Sequence, residues 1–111
     1  MLVSDILKDD LFQLINKGDL NNKINNVFAC DLLSHAMGFA EENDLLITVL
    51  NNVNVLGVAS LLDFSGVVFS HNINVGAAVL AKANELGIPL IKTSLTTAQA
   101  VVKIRDMRKD N

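Results

Sequence analysis

Short apolar runs that give way to small polar residues and then to helical periodicity occur three times in this chain. Residues 45–50 lead into Asn51-Asn52, residues 67–69 into Ser70-His71-Asn72, and residues 90–91 into Thr93-Ser94. Repeated strand–helix units pack most economically as a layered α/β sandwich with a mainly parallel sheet flanked by helices. Each crossover contains a helix, so the three later strands are predicted to be parallel with right-handed connections. In such sheets ligands bind beyond the carboxyl ends of the strands, which is where the small polar residues fall.

The 111 residues suffice for one domain, 1–111, with one continuous core. Half of them are hydrophobic with glycine left out of the count, more apolar surface than so small an interior can hide. A self-association face relieves the excess, which predicts a homodimer with a closed symmetric interface.

Local signals place the remaining elements. A helix over residues 4–9 takes Ser4 as its N-cap, and a strand over 11–15 meets the turn Lys17-Gly18-Asp19. A second extended run covers 24–30, and the asparagine-rich stretch from Asn21 to Asn26 reads as exposed loop and edge strand, the least packed part of the domain. The pairing of these two early strands is open. Asp31 is positioned to cap a helix over 32–37 that Gly38 stops, and Asn52 to cap a helix over 53–62. Asp63 and Gly66 mark the turn into the strand at 67–69. An alanine-rich helix over 75–86 permits close approach, and so belongs against the sheet or in a dimer interface.

The end of that helix is the sharpest signal. Gly87 supplies a left-handed residue, and Ile88-Pro89 forces extended backbone into a strand at 90–92. Thr96 and Gln99 have the spacing of a capping box. The helix they open is expected to reach about Arg108, with Ala98, Val101, Val102 and Ile104 facing inward and with Asp110 and Asn111 frayed.

Charge narrows the function. A formal net charge of -3 and a pI near 5.1 oppose nucleic-acid binding, which needs a positive surface to release counterions. The one basic group, Lys103, Arg105, Arg108 and Lys109, is interrupted by Asp106 and followed by Asp110. A single cysteine forbids an internal disulfide and fits a reducing compartment. The first ten residues lack a signal-peptide pattern, and no apolar stretch approaches the roughly 18 residues of a membrane span. These features predict a soluble, cytoplasmic protein that engages no membrane.

Each candidate catalytic group also has a plain structural role. Cys30 stands before a helix with His35 one turn on, the ingredients of a thiolate nucleophile. Asp31 beside the sulfur disfavours a second negative charge, so a small packed residue is the better account of Cys30. His35 reads as a surface helix residue, and no Cys/His spacing supports a metal site. No glycine-rich phosphate loop, no Gly-x-Ser-x-Gly elbow and no acid/base carboxylate couple is present. What remains is the polar set after the strands, with Thr48, Asn51, Asn52, Ser70, His71 and Asn72 as candidate ligand contacts and Thr93 and Ser94 beside them. Backbone amides at helix starts favour an anion at such an edge. Caps and turns would also explain each residue taken singly.

The segment Phe28-Ala29-Cys30-Asp31-Leu32-Leu33-Ser34-His35-Ala36-Met37-Gly38, then Asp44-Leu45-Leu46-Ile47-Thr48 and Gly87-Ile88-Pro89-Leu90-Ile91, resembles the stand-alone DRTGG-domain proteins. That domain is similar to the non-catalytic N-terminal domain of HPr kinase/phosphorylase. Related domains accompany phosphate acetyltransferases and nucleotide-regulated pyrophosphatases with paired CBS domains. The resemblance implies an α/β domain, commonly dimeric, with a regulatory or assembly role and no kinase activity of its own. No literal Asp-Arg-Thr-Gly-Gly is present; by position its halves fall near Asn51-Asn52 and Ser70-His71-Asn72.

The expected function is therefore a non-catalytic homodimeric regulatory domain, without cofactor, that binds a small anionic metabolite or nucleotide at the strand edge. The alternatives are an interaction subunit that docks onto a partner enzyme, and a small enzyme using Cys30 or His71.

Overall fold

The computed structural model describes residues 1–109. Its elements are α1 (Val3–Ile6), β1 (Phe12–Leu14), β2 (Val27–Ala29), α2 (Leu33–Phe39), β3 (Leu45–Thr48), α3 (Asn54–Leu61), β4 (Gly66–Phe69), α4 (Ala77–Leu86), β5 (Leu90–Thr93) and α5 (Thr97–Lys109). The strands form one sheet in the order β1-β5-β4-β3-β2. β2, β3, β4 and β5 are parallel, as the strand–helix rhythm requires, and β1 lies antiparallel to β5. The two early strands thus join opposite edges and never meet.

Helices cover both faces. Leu46, Val67, Phe69 and Leu90 point to one side, where they pack with Val55, Leu56 and Ala59 of α3 and Val79 and Ala83 of α4. Leu45, Ile47, Val68 and Ile91 point to the other and pack with Val3 and Ile6 of α1 and Ala100 and Ile104 of α5. β3 and β4 are buried along their whole length, which is why they read as unbroken apolar runs rather than alternating ones. α4 lies against the sheet through Val79 and Ala83.

Two end signals act as the sequence implies. Gly87 is left-handed with φ 72° after α4, and β5 starts right after Pro89. Thr96 Oγ1 accepts the Gln99 amide at 3.1 Å while Gln99 Oε1 accepts the Thr96 amide at 3.0 Å, a reciprocal capping box.

Other local expectations are corrected. α1 is shorter than 4–9 and is not capped by Ser4; Asp5 Oδ2 accepts the Leu2 amide at 2.8 Å instead. Asp31 does not cap α2, whose N-cap is Leu32 without a side-chain bond, because its carboxylate is engaged elsewhere. Gly38 lies inside α2 at ordinary helical geometry, and the helix stops at Phe39, where Ala40 turns extended. α4 begins two residues later than expected, after the extended Gly76.

The inner stripe of α5 is also shifted. Ala98 and Val102 are exposed, and Ala100 and Ile104 are buried with Val101 and Met107 partly covered. Neighbouring stripes of this helix are both apolar, so only its docking on the sheet decides between them. The asparagine-rich stretch is better packed than expected: Ile24 is buried, and its amide donates to the Met1 carbonyl at 2.9 Å. Asp110 and Asn111, expected to fray, lie outside the described residues.

Candidate functional site

The loops after β3, β4 and β5 meet at one edge of the sheet, and the antiparallel β1 brings Asp10 and Leu11 to the same edge, since Phe12 is registered against Thr93. Asp31 holds the end of β3. Its Oδ1 accepts the Thr48 hydroxyl at 2.9 Å and the Val49 amide at 3.0 Å, and Thr48 Oγ1 in turn accepts the Leu50 amide at 3.1 Å. Thr48 is fully buried, so its hydroxyl shapes the loop from within.

The loops are stitched to one another. Asn51 Nδ2 donates to the Asn74 carbonyl at 2.7 Å, joining the β3 loop to the β4 loop. Asn52 Oδ1 accepts the Asn54 amide at 3.0 Å, a local turn just ahead of α3, whose N-cap is Val53 without a side-chain bond rather than the expected Asn52. Ser70, also fully buried, shares a 2.7 Å hydrogen bond with the Thr97 hydroxyl at the start of α5. The His71 and Asn72 amides donate to the Leu95 and Thr93 carbonyls at 2.8 and 2.9 Å. Both residues are left-handed, with φ 59° and 53°, a conformation uncommon for residues other than glycine. His71 Nε2 accepts the Thr97 amide at 3.2 Å, which requires that nitrogen to carry no proton.

The structure therefore gathers the six expected residues at one edge and divides them. Thr48 and Ser70 are interior supports, whereas Asn51, Asn52, His71 and Asn72 are exposed on the loops. The side-chain polar atoms of Asn51, Asn52 and His71 that bond within the protein hold the loops together. Asn72 is different, because it faces a cleft of about 220 Å³ at the end of the β5–β1 pair, lined also by Asp10, Leu11, Gln13, Lys92, Thr93 and Ser94. Sequence reasoning passed over Asp10, Gln13 and Lys92. The available signal was the polar Gln13 and Lys92 set inside otherwise apolar strands.

A larger groove, about 560 Å³, runs between α3 and α4 past Val53, Gly57, Val58, Ala78 and Ala81, with Lys82 and Glu85 at its side. The cysteine and histidines go to separate surroundings. Cys30 Sγ donates to the Leu32 carbonyl at 3.1 Å, and the exposed His35 ring stacks on Phe39 at 4.6 Å between centroids. Among the described residues no group of three or more His, Cys, Asp or Glu side chains is placed to hold a metal ion. Nor is any described helix long and apolar enough to cross a membrane.

The DRTGG domain family model matches residues 13–107. Among solved structures, the chain superposes on the CBS and DRTGG domains of the regulatory region of Clostridium perfringens pyrophosphatase, complexed with its activator diadenosine tetraphosphate, with a TM-score of 0.66. The two share 15% identity over 90% of this chain and 45% of the other, so this chain spans less than half of that region and the likeness concerns the fold. No curated protein matches the sequence.

Proposed function

The chain belongs to the DRTGG domain family, and from that premise we propose that it is a non-catalytic, homodimeric regulatory domain of the cytoplasm. It binds a small anionic metabolite or nucleotide at the carboxyl edge of its parallel strands. The observation that carries this reading is the convergence there of three loops bearing the exposed polar residues Asn51, Asn52, His71 and Asn72. Thr48 and Ser70 serve as buried supports beneath them. The C. perfringens regulatory region, which shares the fold, is complexed with a nucleotide activator, and that makes nucleotides the first ligand class to try.

Thermal unfolding against adenine nucleotides, sugar phosphates and small carboxylates tests the proposal. A ligand at 100 times its Kd adds about 2.7 kcal/mol, which moves the midpoint of a domain this size by several degrees. A shift confined to one chemical class is the expected result. A flat panel rejects ligand sensing, and a stoichiometric partner recovered with the same protein would then identify it as the interaction subunit of an enzyme.

A further inference from the structure

Five polar side chains converge on the cleft at the end of the β5–β1 pair with no side-chain partner among the described residues. Asp10, Gln13, Asn72, Lys92 and Ser94 line one space, and none makes a side-chain hydrogen bond or ion pair among the described residues. The loop residues Asn51, Asn52 and His71, by contrast, each commit a side-chain polar atom to a neighbour. Lys92 and Gln13 are directly opposed across the β5–β1 ladder. By alternation they share the sheet face opposite Phe12 and Ile91. Lys92 and Asp10 border the same cleft and still form no ion pair.

We propose that this cleft seats a phosphorylated sugar, either free or as the ribose phosphate of a nucleotide. The phosphate lies against Lys92, Asn72 and Ser94, the sugar hydroxyls donate to Asp10 and pair with Gln13, and the ring packs on the half-exposed Leu11. The inference rests on the reading that this edge binds an anionic metabolite or nucleotide, and it names the residues and the ligand class. The charges select that class. A simple anion would meet Lys92 but bring a like charge to Asp10, and a simple cation would reverse the conflict. A ligand with one anionic end and several hydroxyls satisfies both, because a carboxylate accepts hydrogen bonds from adjacent hydroxyls. At about 220 Å³ the cleft is smaller than the roughly 300 Å³ at which sites for drug-sized ligands begin. It holds a sugar phosphate and leaves any attached base outside.

The test is calorimetric titration of the full chain, wild type, Lys92→Gln and Asp10→Asn, with ribose 5-phosphate and adenosine 5′-monophosphate, using ribose and inorganic phosphate as controls. The expected result is that both phosphorylated probes bind the wild type more tightly than either control. Lys92→Gln should weaken them about tenfold or more, the loss expected of a charge-assisted contact. Asp10→Asn should weaken them as well, with both variants unfolding at the wild-type temperature. Equal affinity for the two probes shows that the sugar phosphate alone is recognised, and tighter binding of the nucleotide shows that its base adds contacts on the surface outside the cleft. Binding untouched by either substitution overturns this inference and leaves the ligand elsewhere on the edge, so the broader reading survives. Failure of both probes overturns it too, and only a panel that is flat throughout takes the broader reading with it.

Discussion

The imidazole Nε2 of His71 accepts the backbone N–H of Thr97 across 3.2 Å, so a residue in the loop after β4 completes the first turn of α5. That residue is also left-handed at φ 59°. Alanine at position 71 would lose the acceptor and keep the unfavourable backbone; glycine would lose the acceptor and adopt the backbone freely. His71→Ala should cost about 1–2 kcal/mol and His71→Gly less, read from unfolding midpoints. Equal costs would mean that the backbone conformation at 71 carries no penalty.

Thr48 and Asp31 offer a second pair. The Thr48 hydroxyl is buried and donates to Asp31 Oδ1 at 2.9 Å. Asp31→Ala strands that hydroxyl and the Val49 amide, at an expected cost of about 1–3 kcal/mol. Thr48→Val removes the donor, so the double variant should cost less than the sum of the two singles. Chemical denaturation of the four proteins gives the coupling directly, and strict additivity would show that the bond contributes nothing.

The same pair shows where sequence reasoning reaches its limit. Signals that act within a few residues were legible: Gly87 before Ile88-Pro89, the Thr96–Gln99 capping box, and the fully apolar strands that demanded helices on both faces. Asp31 stands two residues before α2 and fits the N-cap pattern by type, but an acceptor is also needed at the end of β3, 17 residues on, and that long-range demand takes it. Gly38 fits a helix stop by type, yet nothing forces its backbone left-handed, and α2 runs through it. The cleft was invisible for a related reason. Asp10, Gln13 and Lys92 come together only because β1 crosses to the far edge and lies antiparallel to β5.

Asp5 predicts an acid response at α1. Its carboxyl titrates below the ordinary value of 3.8, chiefly because the Leu2 amide donates to it, with a further contribution from the Lys8 ammonium at 3.0 Å. A carboxyl whose pKa is depressed on folding adds stability that is present above its unfolded pKa and disappears as pH falls through the lower folded value. Wild type should therefore exceed Asp5→Asn in stability at neutral pH, and the gap should close below about pH 3.8. Paired thermal scans from pH 7 to pH 2 measure it; a gap that persists at the acid end would assign the effect to something other than charge.

The apolar surface of α2 and α3 carries the prediction of self-association. Leu32, Met37, Phe39 and Leu61 are 63%, 52%, 69% and 67% exposed, and they sit on or beside two helices that pack together. A stable interface removes about 800 Å² from water on each partner. An aromatic side chain buries about 150–250 Å², so Phe39 alone supplies a sizeable share of that area. These side chains carry no charge, so a second copy that meets them across a two-fold axis brings none of their own charges into opposition. Phe39 is the natural anchor, its ring stacked on His35 and thereby held in one orientation. Phe39→Glu places two carboxylates close to the symmetry axis and should weaken association by at least about 2 kcal/mol. Sedimentation should then find a dimer for the wild type and a monomer for Phe39→Glu at micromolar concentration, with the helical signal unchanged. A monomeric wild type would refute self-association, and a variant that stays dimeric would move the interface to another face.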